Sequence, residues 1–150
     1  MRILLAIAAT SLLVSQYAGA QPPAPTPPLA LPGLECYEHL TMPEYPISAL
    51  QSRVDGSVWT RVEVNPQGMA GKINTQVVSA WSNGASLLTP PVEAAIHASK
   101  FKADCAGKTV AVVFRYELHG DATMHPKVTT REEPPNLVWI ESAPELSARK

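Results

Sequence analysis

This chain is poor in chemistry-bearing residues. Its 150 residues include only 2 cysteines, 4 histidines and 2 phenylalanines, and charged residues make up just 17%. No Gly-x-Ser-x-Gly, His-Glu-x-x-His or glycine-rich phosphate loop occurs, so the motif-borne forms of acyl transfer, zinc hydrolysis and nucleotide binding have no support. Carboxylates are scattered, and Glu132-Glu133 beside Arg131 reads as a solvated turn. The expectation is a protein that is not an enzyme. With a formal net charge of −1 there is no basic stripe to neutralise phosphates, which argues against nucleic acid as a partner. No metal or cofactor is expected either. Of His39, His97, His119 and His125 only the last two are close in sequence, and Cys36 and Cys105 lack ligand spacing.

Long apolar runs are also missing. The longest, Ile3 to Val14, is well short of the roughly 20 residues that span a bilayer. Arg2 before it and Ala18-Gly19-Ala20 after it have the layout of a secretory signal, with cleavage before Gln21. No cysteine stands directly after the Ala18-Gly19-Ala20 site to carry a lipid. Residues 1–20 therefore read as a cleaved signal peptide and the protein as exported, with a periplasmic location expected; an uncleaved anchor is the competing reading. Residues 21–150 then form one domain-sized unit. Without Arg2, 11 basic residues face 13 acidic ones. In an oxidising compartment the even cysteine count favours a Cys36–Cys105 disulfide, worth roughly 4 kcal/mol in the chain-entropy model. Two separate thiols are the alternative.

Proline is abundant and unevenly placed. Eight of the 15 fall between Pro22 and Pro46, so residues 21–42 read as an extended, Pro-rich leader. Beyond it, Ile47 to Arg53 is long enough for one or two helical turns. Ser57 to Val64 alternates as a strand, with Val58, Thr60, Val62 and Val64 on one face and Trp59, Arg61 and Glu63 on the other. Asn65-Pro66-Gln67-Gly68 is a turn, and Lys72 to Ser79 the return strand. Ala80 to Ala85 reads as loop.

A helix should start at Thr89 as N-cap, with Pro90 at the first helical position, and run to Phe101. Leu88, Val92, Ala95 or Ser99, and Ile96 form its apolar stripe. Thr109 to Leu118 is the most regular strand, with Val110, Val112, Phe114, Tyr116 and Leu118 sharing a face. Lys127 to Arg131 and Leu137 to Ile140 are short β-like pieces around a Pro134-Pro135-Asn136 turn, in an extension over residues 119–141. Residues 142–150 read as a frayed tail. The class is α+β: a small antiparallel sheet of about three strands plus a C-terminal hairpin, with one helix on one face. Trp59 is either packed, against the hairpin and Trp139, or part of an aromatic contact surface.

The order of these elements resembles the C-terminal domain of TonB-type energy transducers, over residues 43–118. Tyr45-Pro46 matches the family's opening, followed by Ser48-Ala49-Leu50. Asp55-Gly56-Ser57-Val58 matches its Gly-x-Val start of the first strand. Gly68 occupies the hairpin turn, Ser79 the end of the second strand, Val92 to Lys102 the helix, and Gly107 to Leu118 the closing strand. The resemblance implies a transport-related interaction module that adds a short extended segment of an outer-membrane TonB-dependent transporter to a sheet edge. The corresponding receiving strand is Thr109, Val110, Ala111, Val112, Val113, Phe114, Arg115, Tyr116 and Glu117. A signal-like segment stands where the family's transducers carry a spanning helix, so energy transduction by this chain alone is not expected. A homodimer is left open. The alternative is an envelope-associated structural domain whose edge is capped, as it would be if Lys127 to Arg131 paired with that strand.

Overall fold

The computed structural model describes residues 31–80 and 84–146. The signal-like segment, the first part of the Pro-rich leader, Trp81 and residues 147–150 lie outside the described residues. The fold is α+β, with two sheets and one main helix.

Alternation produces the central hairpin. Strand β2 (Gly56–Val64) and strand β3 (Ala70–Ala80) pair antiparallel. Val58, Thr60 and Val62 are buried on one face, while Arg61 and Glu63 are exposed on the other. The turn between them depends on Gly68, whose φ of +72° is left-handed and whose missing Cβ would come 2.8 Å from the Phe101 carbonyl oxygen. Only glycine satisfies both conditions. The Asn65 side-chain oxygen accepts from the Gln67 and Met69 amides, closing the turn.

Helix α1 (Ile47–Gln51) is the expected turn of helix after Pro46, whose carbonyl accepts from Ala49 and Leu50. Helix α2 (Thr89–Ala98) lays Leu88, Val92, Ala95 and Ile96 against the sheet, all buried, and so bears out the predicted stripe. Its ends differ from expectation. The N-cap is Leu88, because a 3-10 turn over Ala85–Leu88 runs directly into the helix and leaves no extended residue for Thr89 to cap from. The helix stops at Ala98, not Phe101. Ser99 turns extended there, with its hydroxyl donating to Ala95 O at 2.8 Å and accepting from Thr41 N at 2.9 Å.

The chain then enters a two-residue strand, β4 (Lys100–Phe101), which pairs with β1 (Tyr37–His39) in a separate small sheet. Tyr37 packs on Phe101 with ring centroids 4.5 Å apart, and the Cys36–Cys105 disulfide lies beside them with Cα atoms 5.7 Å apart. The Pro-rich leader was expected to reach residue 42, yet Pro32 to Met42 packs into the fold: Gly33, Cys36 and Tyr37 are buried, and Pro32 O accepts from Ala111 N. Buried apolar side chains, each worth roughly 1.5–3 kcal/mol, hold this segment where proline content suggested a tether.

Strand β5 (Thr109–Leu118) pairs antiparallel with β2 as its alternation foretold. Beyond it the sheet departs from a purely antiparallel expectation. Strands β6 (Thr129–Glu133) and β7 (Leu137–Ser142) form a hairpin, but β7 inserts beside β5, parallel to it, and β6 lies outermost. The main sheet is thus mixed and five-stranded, in the order β3-β2-β5-β7-β6. The connection over residues 119–136 is long enough for the chain to pass over two strand widths before returning. Residues 142–146, expected as part of the tail, are also held. Ser142 and Pro144 are buried, and Thr123 exchanges backbone hydrogen bonds with Pro144 and Leu146.

The Cys36–Cys105 bond closes a 69-residue separation, for which the loop-entropy model gives about 4 kcal/mol. The double variant Cys36→Ser/Cys105→Ser should therefore lose roughly 4 kcal/mol in urea unfolding, with β1–β4 amides losing exchange protection first; an unchanged midpoint contradicts this placement.

Candidate functional site

An interaction module that works by strand addition needs a free edge, so the backbone hydrogen bonds of each outer strand decide what this sheet can bind. The nine residues expected to receive a partner, Thr109 to Glu117, lie within β5, and β5 is central. On one side β2 pairs with it from Gly56↔Tyr116 to Glu63↔Thr109. On the other side Ala111 N donates to Pro32 O, Val113 N to Asn136 O at 2.7 Å, and His119 N to Ser142 O at 2.8 Å. Between these, β7 pairs from Val113↔Leu137 to Leu118↔Ser142. No strand can add to β5 in this structure, and the assignment of Thr109–Glu117 as the receiving edge is corrected. The capping strand is Leu137–Ser142, not Lys127–Arg131. Val110, Ala111, Val112, Phe114 and Tyr116 are buried core.

The two outer strands differ in kind. β6 has five residues, all exposed, three of them charged, and Pro134-Pro135 follows it. Short length, charge and proline are the usual ways of blunting an edge. β3 has eleven residues, no proline and one charge, Lys72. Bulges interrupt it near both ends: Val78 has no partner between Val77↔Val58 and Ser79↔Ser57, and Gly71 and Lys72 together face Glu63. A Cβ on Gly71 would sit 2.9 Å from the Glu63 carbonyl oxygen. Between the bulges Ile73 to Val77 runs in regular register. Among the described residues nothing hydrogen-bonds to its outer side through the backbone. On the helix side the Thr75 hydroxyl donates to Glu93.

The family-motif residues are structural. Tyr45 is buried, donates its hydroxyl to Val54 O at 2.7 Å, and meets Tyr116 edge-on with centroids 5.0 Å apart. Burial, with Asp55 and Glu117 nearby, pushes its phenol well above the ordinary value; burial does the same to Tyr116. Both stay neutral donors. Pro46 caps α1, Gly56 pairs with both neighbours of β2, Val58 is core, and Gly68 makes the turn.

The sheet face opposite α2 carries a row that sequence reading did not assemble. Register sets Arg115, Trp139 and Arg131 side by side across β5, β7 and β6. Both guanidinium groups stack on the indole, 4.6 and 5.0 Å from its centroid, contacts worth about 0.5–1 kcal/mol each when exposed. The indole N–H donates to Glu133 at 2.8 Å, and Arg131 reaches the same oxygen at 2.9 Å. Trp59 is packed, but against Arg61, whose guanidinium lies 4.0 Å above its ring, and not against Trp139. Its indole nitrogen is buried without a hydrogen-bond partner. The alternation of Leu137 to Ile140 was the one sequence signal that set Trp139 opposite Val138 and Ile140. Further along β5 and β7, Arg115 Nε bonds Glu117 Oε1 at 2.6 Å, and His119 Nε2 lies 3.2 Å from Glu117 and 3.5 Å from Glu141. His125 is not part of this group.

No helix among the described residues is long and apolar enough to cross a membrane.

The Trp139 and Arg131 hydrogen bonds hold the Glu133 carboxyl below the usual carboxylate value. A depressed carboxyl favours the folded arrangement above its ordinary pKa and ceases to do so as pH falls through the lowered one. Tryptophan fluorescence should therefore show an acid transition below the ordinary glutamate range that Glu133→Gln abolishes; a transition that survives the substitution contradicts the contact.

No protein-family model matches the chain, and no curated protein matches it.

Proposed function

We propose that this chain is an exported interaction module that binds an extended peptide of a transport partner by strand addition, and that the receiving edge is the middle of β3. The observation that carries this is Ile73–Val77, a regular run of edge strand without proline and with no backbone partner outside it among the described residues. A peptide laid there gains main-chain hydrogen bonds from β3, while its alternate side chains meet two different surfaces. One is the α2 side, where Thr75 and Glu93 sit. The other is the open face, where Gln76 and Asn74 stand beside Trp59 and Arg61.

The resemblance to TonB C-terminal domains supports a partner of the transporter class. The β2–β3 hairpin, α2 and β5 follow one another in the implied order, and β5 returns beside β2. The disulfide is compatible with export. A second reading, a structural envelope domain without peptide binding, draws on the β6–β7 hairpin that closes the sheet beyond β5.

Titrating the protein with an extended transporter-derived peptide and following backbone amides by NMR separates the two. The proposal expects saturable shifts and slowed exchange over Ile73–Val77, with Val110–Tyr116 unmoved. Shifts centred on Thr129–Glu133, or none at any peptide concentration, count against β3 and favour the structural reading.

A further inference from the structure

The end of the β5–β7 pair holds a charge arrangement that the sheet alone does not explain. In the parallel register Glu117 stands directly opposite Glu141, and like charges placed so destabilise a sheet. His119 follows Glu117 by two residues, which returns it to the same face of β5. Its Nε2 lies 3.2 Å from Glu117 Oε2 and 3.5 Å from Glu141 Oε1, and one donor atom from each of the three residues falls within 4.8 Å of the other two. A single Nε2–H can donate to only one of these two oxygens at a time.

We propose that Glu117, His119 and Glu141 form a binding site for a divalent transition-metal ion of the zinc class. Metal–nitrogen and metal–oxygen bonds of about 2.0–2.1 Å at tetrahedral angles place neighbouring donors roughly 3.3–3.4 Å apart. The two His119 separations, 3.2 and 3.5 Å, are of that size. The two carboxylates lie within 4.8 Å of each other, and Glu side chains adjust such a separation through their soft terminal torsion. An imidazole with two carboxylates suits zinc and its neighbours in the first transition row better than calcium or magnesium, which take all-oxygen shells. Three protein ligands leave the remaining coordination to water.

Arg115 is the positioning residue. Its Nε holds Glu117 Oε1 at 2.6 Å, which turns Oε2 toward His119, the way outer-shell hydrogen bonds orient ligating carboxylates. Its charge also weakens the site, as does exposure, since the His119 side chain is 60% accessible. The expected affinity is therefore micromolar. With Cys36 and Cys105 in a disulfide, no thiolate competes for the ion.

The test is calorimetric titration of zinc chloride into tag-free protein at neutral pH, beside NMR of the histidine imidazoles. One zinc per chain is expected, with His119 resonances shifting and those of His39, His97 and His125 still. His119→Ala should weaken binding at least tenfold, Glu141→Gln several-fold, and His125→Ala not at all. Absence of saturable binding, full affinity in His119→Ala, or shifts confined to another histidine overturns the proposal. The imidazole shifts of the unsubstituted protein decide the matter should a variant fail to fold.

Discussion

The backbone of β5 spends its hydrogen bonds on both sides. β2 takes one side from Thr109 to Tyr116, and Pro32, Asn136, β7 and Ser142 together take the other from Ala111 to His119. Because buried amides cannot be left unpaired cheaply, this double pairing sets the position of most other elements. It brings Pro32 to Met42 back onto the domain, inserts Leu137–Ser142 into the sheet and pushes Thr129–Glu133 to the rim. It also leaves β3 as the one long strand with an open side among the described residues.

Packing follows from that order. The inner face of β2, β5 and β7 presents Val58, Val62, Val110, Val112, Phe114, Tyr116, Val138 and Ile140, all buried, beneath α2, α1 and the small β1–β4 sheet. The disulfide ties that small sheet to the segment leading into β5. The opposite face has no layer over it among the described elements. Arginines and tryptophans cover one another there, with Arg61 on Trp59 and two arginines on Trp139. Amphipathic side chains of this kind shield apolar rings while keeping their charge in water.

Local pattern made much of this legible. The alternation of Val58 to Val64 and of Val110 to Leu118, the stripe Leu88–Val92–Ile96, the glycine turn at Gly68 and the cysteine pairing are all present as read. Pairing across the chain was not legible, because two-residue periodicity says which face a side chain takes but not which strand lies next to it. Leu137–Ile140 was visible as a strand, yet its parallel place beside β5 depends on a return path that no local residue encodes. Tyr37–His39 and Lys100–Phe101 were too short to show a period at all. The Arg115–Trp139–Arg131 row and the Glu117–His119–Glu141 group combine residues from different strands, so only the register assembles them. Proline content misplaced the start of the domain for a related reason: the contacts that hold Cys36 and Tyr37 come from residues more than sixty positions away.

The central claim is that β5 is an interior strand. Native-state amide exchange, read residue by residue, tests it most directly. With both sides paired, consecutive amides from Ala111 to Glu117 should all exchange slowly, near the global unfolding limit. If every second amide in that run exchanges rapidly while its neighbours stay protected, one edge of β5 is open and the account is wrong.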